Sequence, residues 1–66
     1  MTDSPFYPIL KYFEYAHLPP HLQAVSKPFC DLAVLMAGQL PVDLEVAECL
    51  RHLLIAKDAA VRAALG

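Results

Sequence analysis

The chain has 66 residues, which is enough for one small domain, and chains of this length rarely bury a core that is stable alone. Its formal net charge of -2 at pH 7 argues against capture of DNA or RNA polymers, which needs a basic surface. Hydrophobic residues make up 58% of the sequence, yet no apolar run approaches the roughly 18 residues of a membrane span. We therefore expect a homo-oligomer without a membrane segment, in which further copies of the chain cover the surplus apolar surface.

The N-terminal part of the chain is divided by prolines. Residues 1–8 contain two of them and are expected to form an extended arm. Residues 9–17 are rich in aromatic side chains, and Pro19 and Pro20 limit them to about two helical turns. The sequence therefore predicts a short N-terminal helix at residues 9–17.

Two longer segments have the apolar periodicity of α-helices. Residues 20–39 form the first, and Pro28 interrupts it, so we expect a kink near Pro28. Its apolar stripe comprises Leu22, Val25, Phe29, Leu32 and Met36. The second segment is residues 43–64, with Asp43 suited to the N-cap. The sequence thus predicts an all-α fold in which a short helical segment precedes an antiparallel two-helix hairpin.

The second helix carries two apolar stripes instead of one. One stripe comprises Val46, Cys49, Leu53, Ala56 and Ala60, and the other comprises Leu50, Leu54, Val61 and Leu65. Residues 32–37 of the first helix are also apolar on all sides. Because two stripes need two partners, we expect one to pack on the first helix and the other on a neighbouring subunit.

Cysteine and histidine positions indicate neither a disulfide nor a metal site. Cys30 and Cys49 fall within helical patterns, and the N-terminus lacks the features of a secretory signal, so we expect free thiols. His17 and His21 are four positions apart, but the two prolines between them prevent the helical geometry that joint metal ligation would need. No residue set resembles a nucleophile with its base. We expect no metal, no cofactor and no enzymatic activity.

Three residues are candidates for contacts with a ligand, each with an ordinary alternative. Tyr12 could stack on a nucleobase, since its hydroxyl tolerates a wet site, or it could pack on the hairpin. Lys27 precedes Pro28 at the expected kink, where it could contact a phosphate or remain a solvated charge. Arg62 is explained by the helix dipole and by a pair with Asp58, but a guanidinium could also hold a phosphate through two hydrogen bonds.

Three motifs taken together carry a resemblance to a known family. They are K-Y-F at residues 11–13, H-L-P-x-H-L-Q-x-V-S-K-P-F-x-D-L-A at residues 17–33, and L-R-x-L-L-x-A-K-D-A-A-V-R-A-A-L at residues 50–65. With them the chain resembles the phage anti-CBASS sponge family, whose members sequester cyclic oligonucleotides. That family shares a helical hairpin domain with phage anti-Thoeris sponge proteins. The connection G-Q-L-P-V-D between the two predicted helices is shorter than the family pattern.

The resemblance implies a homohexamer in the cytoplasm of the host bacterium that binds cyclic dinucleotides such as cyclic GMP-AMP in pockets between subunits. Binding without cleavage would block activation of the CBASS anti-phage effector. By motif, Tyr12 would stack on a base and Lys27 would contact a phosphate. Some members also bind cyclic trinucleotides at a separate junction through an arginine that corresponds to Arg62. The alternative is a structural or protein-binding helical hairpin adaptor, which has no need of Tyr12 together with Lys27.

Overall fold

A computed structural model describes residues 7–66, which form a short 3-10 helix followed by two α-helices. The 3-10 helix spans Pro8–Phe13, α1 spans Pro20–Gln39 and α2 spans Leu44–Leu65. Because only four residues connect α1 to α2 and the two helices pack on each other, they form a helical hairpin. Residues 7–66 contain no strand, so the all-α prediction is confirmed.

The N-terminal helix differs from the one expected at residues 9–17. It begins at Pro8 and ends at Phe13. The backbone at Glu14, the next residue, is extended, with φ of -62° and ψ of 143°. A 3-10 helix has three residues per turn, so side chains three positions apart share one side. The buried residues follow that spacing: Tyr7, Leu10 and Phe13. The predicted arm at residues 1–8 is therefore wrong at Pro8, which begins the helix, while Tyr7 precedes the helix and the first six residues lie outside the described part of the chain.

Both long helices begin with the signals expected from the sequence. Pro20 opens α1, where its missing N–H would have had no intrahelical partner. Asp43 is the N-cap of α2, and its Oδ1 accepts a hydrogen bond of 2.8 Å from the backbone N–H of Glu45. The α-helical structure of α1 continues through Pro28, and the kink expected there stays a prediction.

The face of α1 that packs inward matches the predicted stripe at Leu22 and, in part, at Phe29, which packs against the core. Its buried positions are Leu22, Ser26, Cys30 and Ala33, whereas Leu32 of the predicted stripe is 43% exposed. The larger residues Val25, Phe29 and Met36 are only half-buried. The reason is steric: small side chains at the centre of α1 leave room for Phe13, which is fully buried in the same core.

α2 packs inward through one face, which takes residues from both predicted stripes. Val46 and Leu50 are buried in the core, and Leu53 and Leu54 pack against it. Cys49, Ala56 and Leu65, which were expected in the stripes, are exposed. The division into two stripes is therefore wrong, because one helix face about 100° wide covers members of both.

Large apolar side chains remain exposed on the outside of the hairpin. They include Leu32, Val34 and Leu35 on α1 and Ile55 on α2. An oligomer would bury such surface, so these residues are the candidate interface. The homo-oligomer itself stays a prediction. Within residues 7–66, neither helix has the length and apolar character that crossing a membrane requires.

Candidate functional site

A groove of about 350 Å³ lies between the N-terminal segment and the C-terminal half of α2. One wall comprises Lys11, Tyr12, Glu14, His17 and Leu18, and the other comprises Lys57, Asp58, Val61 and Arg62. Small-molecule sites are typically about 300–1,000 Å³, so this groove is at the small end of that range. It combines the aromatic ring of Tyr12 with three cations, Lys11, Lys57 and Arg62.

The 3-10 helix places Lys11 and Tyr12 at the groove. Because Leu10 and Phe13 are buried on its inner side, the two residues between them face outward. The Tyr12 side chain is 58% exposed, and the Nζ atom of Lys11 lies 5.3 Å from the centroid of its ring. This distance is within the range of a cation–π contact, about 6 Å. The ammonium therefore lies over one face of the ring, and more than half of the residue's surface stays accessible to a flat ligand.

Lys57 is the most enclosed cation of the groove. Its side chain is 13% exposed, and its Nζ lies 3.1 Å from Oδ1 of Asp58. The ion pair between Asp58 and Arg62 that the sequence predicted does not form, since Asp58 pairs with Lys57 instead. Among residues 7–66, Arg62 forms no ion pair, and neither does Lys11. Two cations of the groove are thus available to an anion.

The two basic residues outside the groove pair with carboxylates on their own helices. Nζ of Lys27 lies 2.7 Å from Oδ2 of Asp31, and Nη2 of Arg51 lies 2.9 Å from Oε1 of Glu48. The hydrogen bond and charge of Asp31 raise the pKa of Lys27, and those of Arg51 lower the pKa of Glu48. The groove therefore holds three of the five Lys and Arg residues against two carboxylates, in a chain whose net charge is -2.

The three candidate residues from the sequence are not gathered in one place. Tyr12 and Arg62 line the same groove, although the resemblance assigns them to different ligands. Lys27 is outside it, on α1, with a side chain that is 56% exposed. A ligand that touches both Tyr12 and Lys27 is therefore not contained in the groove of a single protomer.

Sequence reasoning missed the contribution of two lysines to the groove. Lys11 and Lys57 are far apart in the chain, and no local spacing rule relates them. Their one shared signal is that each lies inside a motif of the sponge resemblance, in K-Y-F and in A-K-D-A-A. Only the packing of the N-terminal segment against α2 brings them together.

Other candidate chemistry is located elsewhere or does not assemble. Cys30 is buried in the core and Cys49 is exposed, and both are free thiols. Burial raises the pKa of the Cys30 thiol. In the described part of the chain, no three His, Cys, Asp or Glu side chains are placed to hold a metal ion.

Comparisons with protein-family models, with curated proteins and with solved structures found no match to this chain.

Proposed function

We propose that the protein sequesters cyclic dinucleotides, of which cyclic GMP-AMP is an example, and thereby blocks activation of CBASS anti-phage effectors in the cytoplasm of an infected bacterium. The observation that supports this most is the exposed ring of Tyr12, in a groove that also holds Lys11 and Arg62. A base needs a flat apolar partner, and a phosphate needs cations. The resemblance to the anti-CBASS sponges supplies the class of ligand.

The contrast between neighbouring aromatic residues favours a binding role for Tyr12. Phe13 is fully buried and belongs to the core, whereas Tyr12 is 58% exposed. A tyrosine that served only to pack on the hairpin would be buried as Phe13 is, so the exposure of Tyr12 favours the binding role. Stacking of a base on such a ring contributes roughly 1–3 kcal/mol.

Lys27 fits this proposal as a phosphate contact supplied by another copy of the chain. Its ion pair with Asp31 is on an exposed helix face, where water screens the attraction, so a phosphate can replace the carboxylate. Lys27 does not line the Tyr12 groove, so a pocket that uses both residues extends beyond that groove, and the proposal takes the two residues from neighbouring protomers. The exposed apolar residues on α1 are suited to the assembly, proposed as a hexamer, that such a pocket requires.

The proposed mechanism is sequestration without cleavage. Binding alone is sufficient to lower the free concentration of a signalling molecule. A cyclic trinucleotide could also be taken up, with Arg62 as its phosphate contact.

Calorimetric titration of the full chain with a panel of cyclic di- and trinucleotides tests the proposal. We expect saturable binding of at least one cyclic dinucleotide. A ligand at 100 times its dissociation constant should also stabilise the fold by about 2.7 kcal/mol, seen as a higher melting temperature. Ligand recovered after denaturation should be intact, and recovery of linear nucleotide would identify a nuclease instead. Failure of every cyclic dinucleotide to bind would overturn the proposal.

A second candidate function is that of a protein-binding helical hairpin adaptor. The observation in its favour is the exposed apolar surface formed by Leu32, Val34 and Leu35, which a partner protein could also cover. The two functions differ at Tyr12. An adaptor that docks through α1 would bind its partner equally well after Tyr12→Ala, and it would bind no cyclic nucleotide.

A further inference from the structure

We infer that the groove between the N-terminal segment and α2 is a complete binding site for one nucleotide within a single protomer. In this site Lys11 and Arg62 contact the phosphate, and the base stacks on Tyr12. The inference rests on the proposed function for its class of ligand. It assigns Lys11 and Lys57, which the sequence motifs leave without a role, and it places one nucleotide of the ligand inside one chain while the rest extends toward a neighbouring subunit.

The first argument is the distribution of charge. Lys11 and Arg62 have no carboxylate partner among residues 7–66, whereas Lys27 and Arg51 outside the groove are both paired. An unpaired guanidinium can donate two parallel hydrogen bonds to a phosphate, and an ammonium adds a point charge. Lys11 and Arg62 can therefore bind a phosphate without first breaking an ion pair with a described residue.

The second argument concerns the carboxylates that also line the groove. Asp58 is paired with Lys57 at 3.1 Å, so its charge is largely compensated. Glu14 is then the one groove carboxylate without an ion pair in the described residues, against the cations Lys11 and Arg62. The groove keeps a positive balance, and Lys57 acts as a positioning residue that neutralises Asp58.

The third argument is the geometry around Tyr12. Since Lys11 lies over its ring at 5.3 Å from the centroid, a base can use the other face while its phosphate stays near the ammonium. A volume of about 350 Å³ suits one nucleotide. The second half of a cyclic dinucleotide would then extend out of the groove, where a residue from another copy could meet it.

Titration of the full chain with guanosine monophosphate, and separately with guanosine and with inorganic phosphate, tests this site. The variants are Lys11→Gln and Arg62→Gln. Arg51→Gln is the matched control, because it removes an exposed arginine of α2 that does not line the groove. We expect the monophosphate to bind more tightly than either fragment, and each groove variant to weaken it roughly 10-fold or more while the control leaves it unchanged.

Several outcomes would overturn the site. They are no binding of the monophosphate, unchanged binding in both groove variants, or an equal loss in Arg51→Gln, which would show only a general charge effect. Circular dichroism melts of all variants exclude misfolding as the cause.

The same variants titrated with a cyclic dinucleotide separate this inference from the proposed function. If wild-type protein binds the cyclic dinucleotide and both groove variants bind it equally well, the function stands and the site is wrong. If the monophosphate binds in the groove but no cyclic dinucleotide binds, the site stands and the proposed function fails. Parallel losses for both ligands in Lys11→Gln and Arg62→Gln support the two together.

Discussion

Nζ of Lys27 lies 2.7 Å from Oδ2 of Asp31, one turn further along α1. The hydrogen bond and charge of Asp31 raise the pKa of Lys27, so the lysine stays protonated throughout the neutral pH range. A phosphate that binds Lys27 must nevertheless compete with this carboxylate. Removing the carboxylate should therefore make the ammonium more available.

We predict that Asp31→Asn strengthens cyclic dinucleotide binding, because it frees the Lys27 ammonium for the phosphate. Lys27→Gln should weaken binding by roughly 10-fold or more, because it removes that charge-assisted contact. Calorimetry measures both changes. Glu48→Gln is the matched control, since it frees Arg51 on α2 in the same way without touching Lys27. Unchanged affinity in both Lys27 and Asp31 variants would remove Lys27 from the site.

Tyr12 provides a second prediction. Tyr12→Ala should weaken nucleotide binding by roughly 1–3 kcal/mol, the contribution of one stacked base. Tyr12→Phe should retain most of the affinity, because stacking requires the ring and not the hydroxyl. Neither change should lower the melting temperature much, since Tyr12 is 58% exposed. Equal losses in both variants would show that the hydroxyl, not the ring, contacts the ligand.

Ser26 provides a prediction on stability. It is fully buried on the inner face of α1, and its hydroxyl has no hydrogen-bond partner within the described residues. A buried hydroxyl without a partner is destabilising, and alanine is the better helix former. Ser26→Ala should therefore raise the free energy of unfolding in urea by about 1 kcal/mol. A loss of stability instead would show that the hydroxyl does have a partner in solution.

The two cysteines should differ in reactivity. Burial raises the pKa of Cys30, which lowers its thiolate fraction at neutral pH, and Cys49 is exposed. Iodoacetamide should label Cys49 quickly and Cys30 only after denaturation, as followed by mass spectrometry. Replacing both by alanine should leave nucleotide binding in place, because neither residue lines the groove. Fast labelling of Cys30 in the folded protein would contradict its buried position.

The last prediction concerns assembly. Light scattering of wild-type protein should give a multiple of the 7.3 kDa chain mass. Leu35→Glu should reduce that mass, because Leu35 is 55% exposed within the apolar surface of α1. Gln39→Glu is the control and should leave the mass unchanged, because it adds the same charge at an exposed position of α1 that is already polar. A wild-type mass equal to one chain would contradict both the oligomer and a pocket shared between subunits.

The sequence alone determined the helices of the hairpin and where they begin. Apolar periodicity marked both, Pro20 opens α1, and Asp43 caps α2, because these signals act on the backbone within a few residues. The 3-10 helix was harder to predict from the sequence. Its spacing of three among Tyr7, Leu10 and Phe13 fits more than one helix type until burial selects one.

Only the tertiary structure decided which side of each helix faces inward and which residues share the groove. The small residues Ser26, Cys30 and Ala33 pack at the centre of α1 because Phe13 fills the remaining space, and no helical period within one segment contains that information. Tertiary packing also places Tyr12 and Arg62 in the same groove. Their distance depends on the rotation of α2 against the N-terminal segment, which is set by the packing of all three elements together.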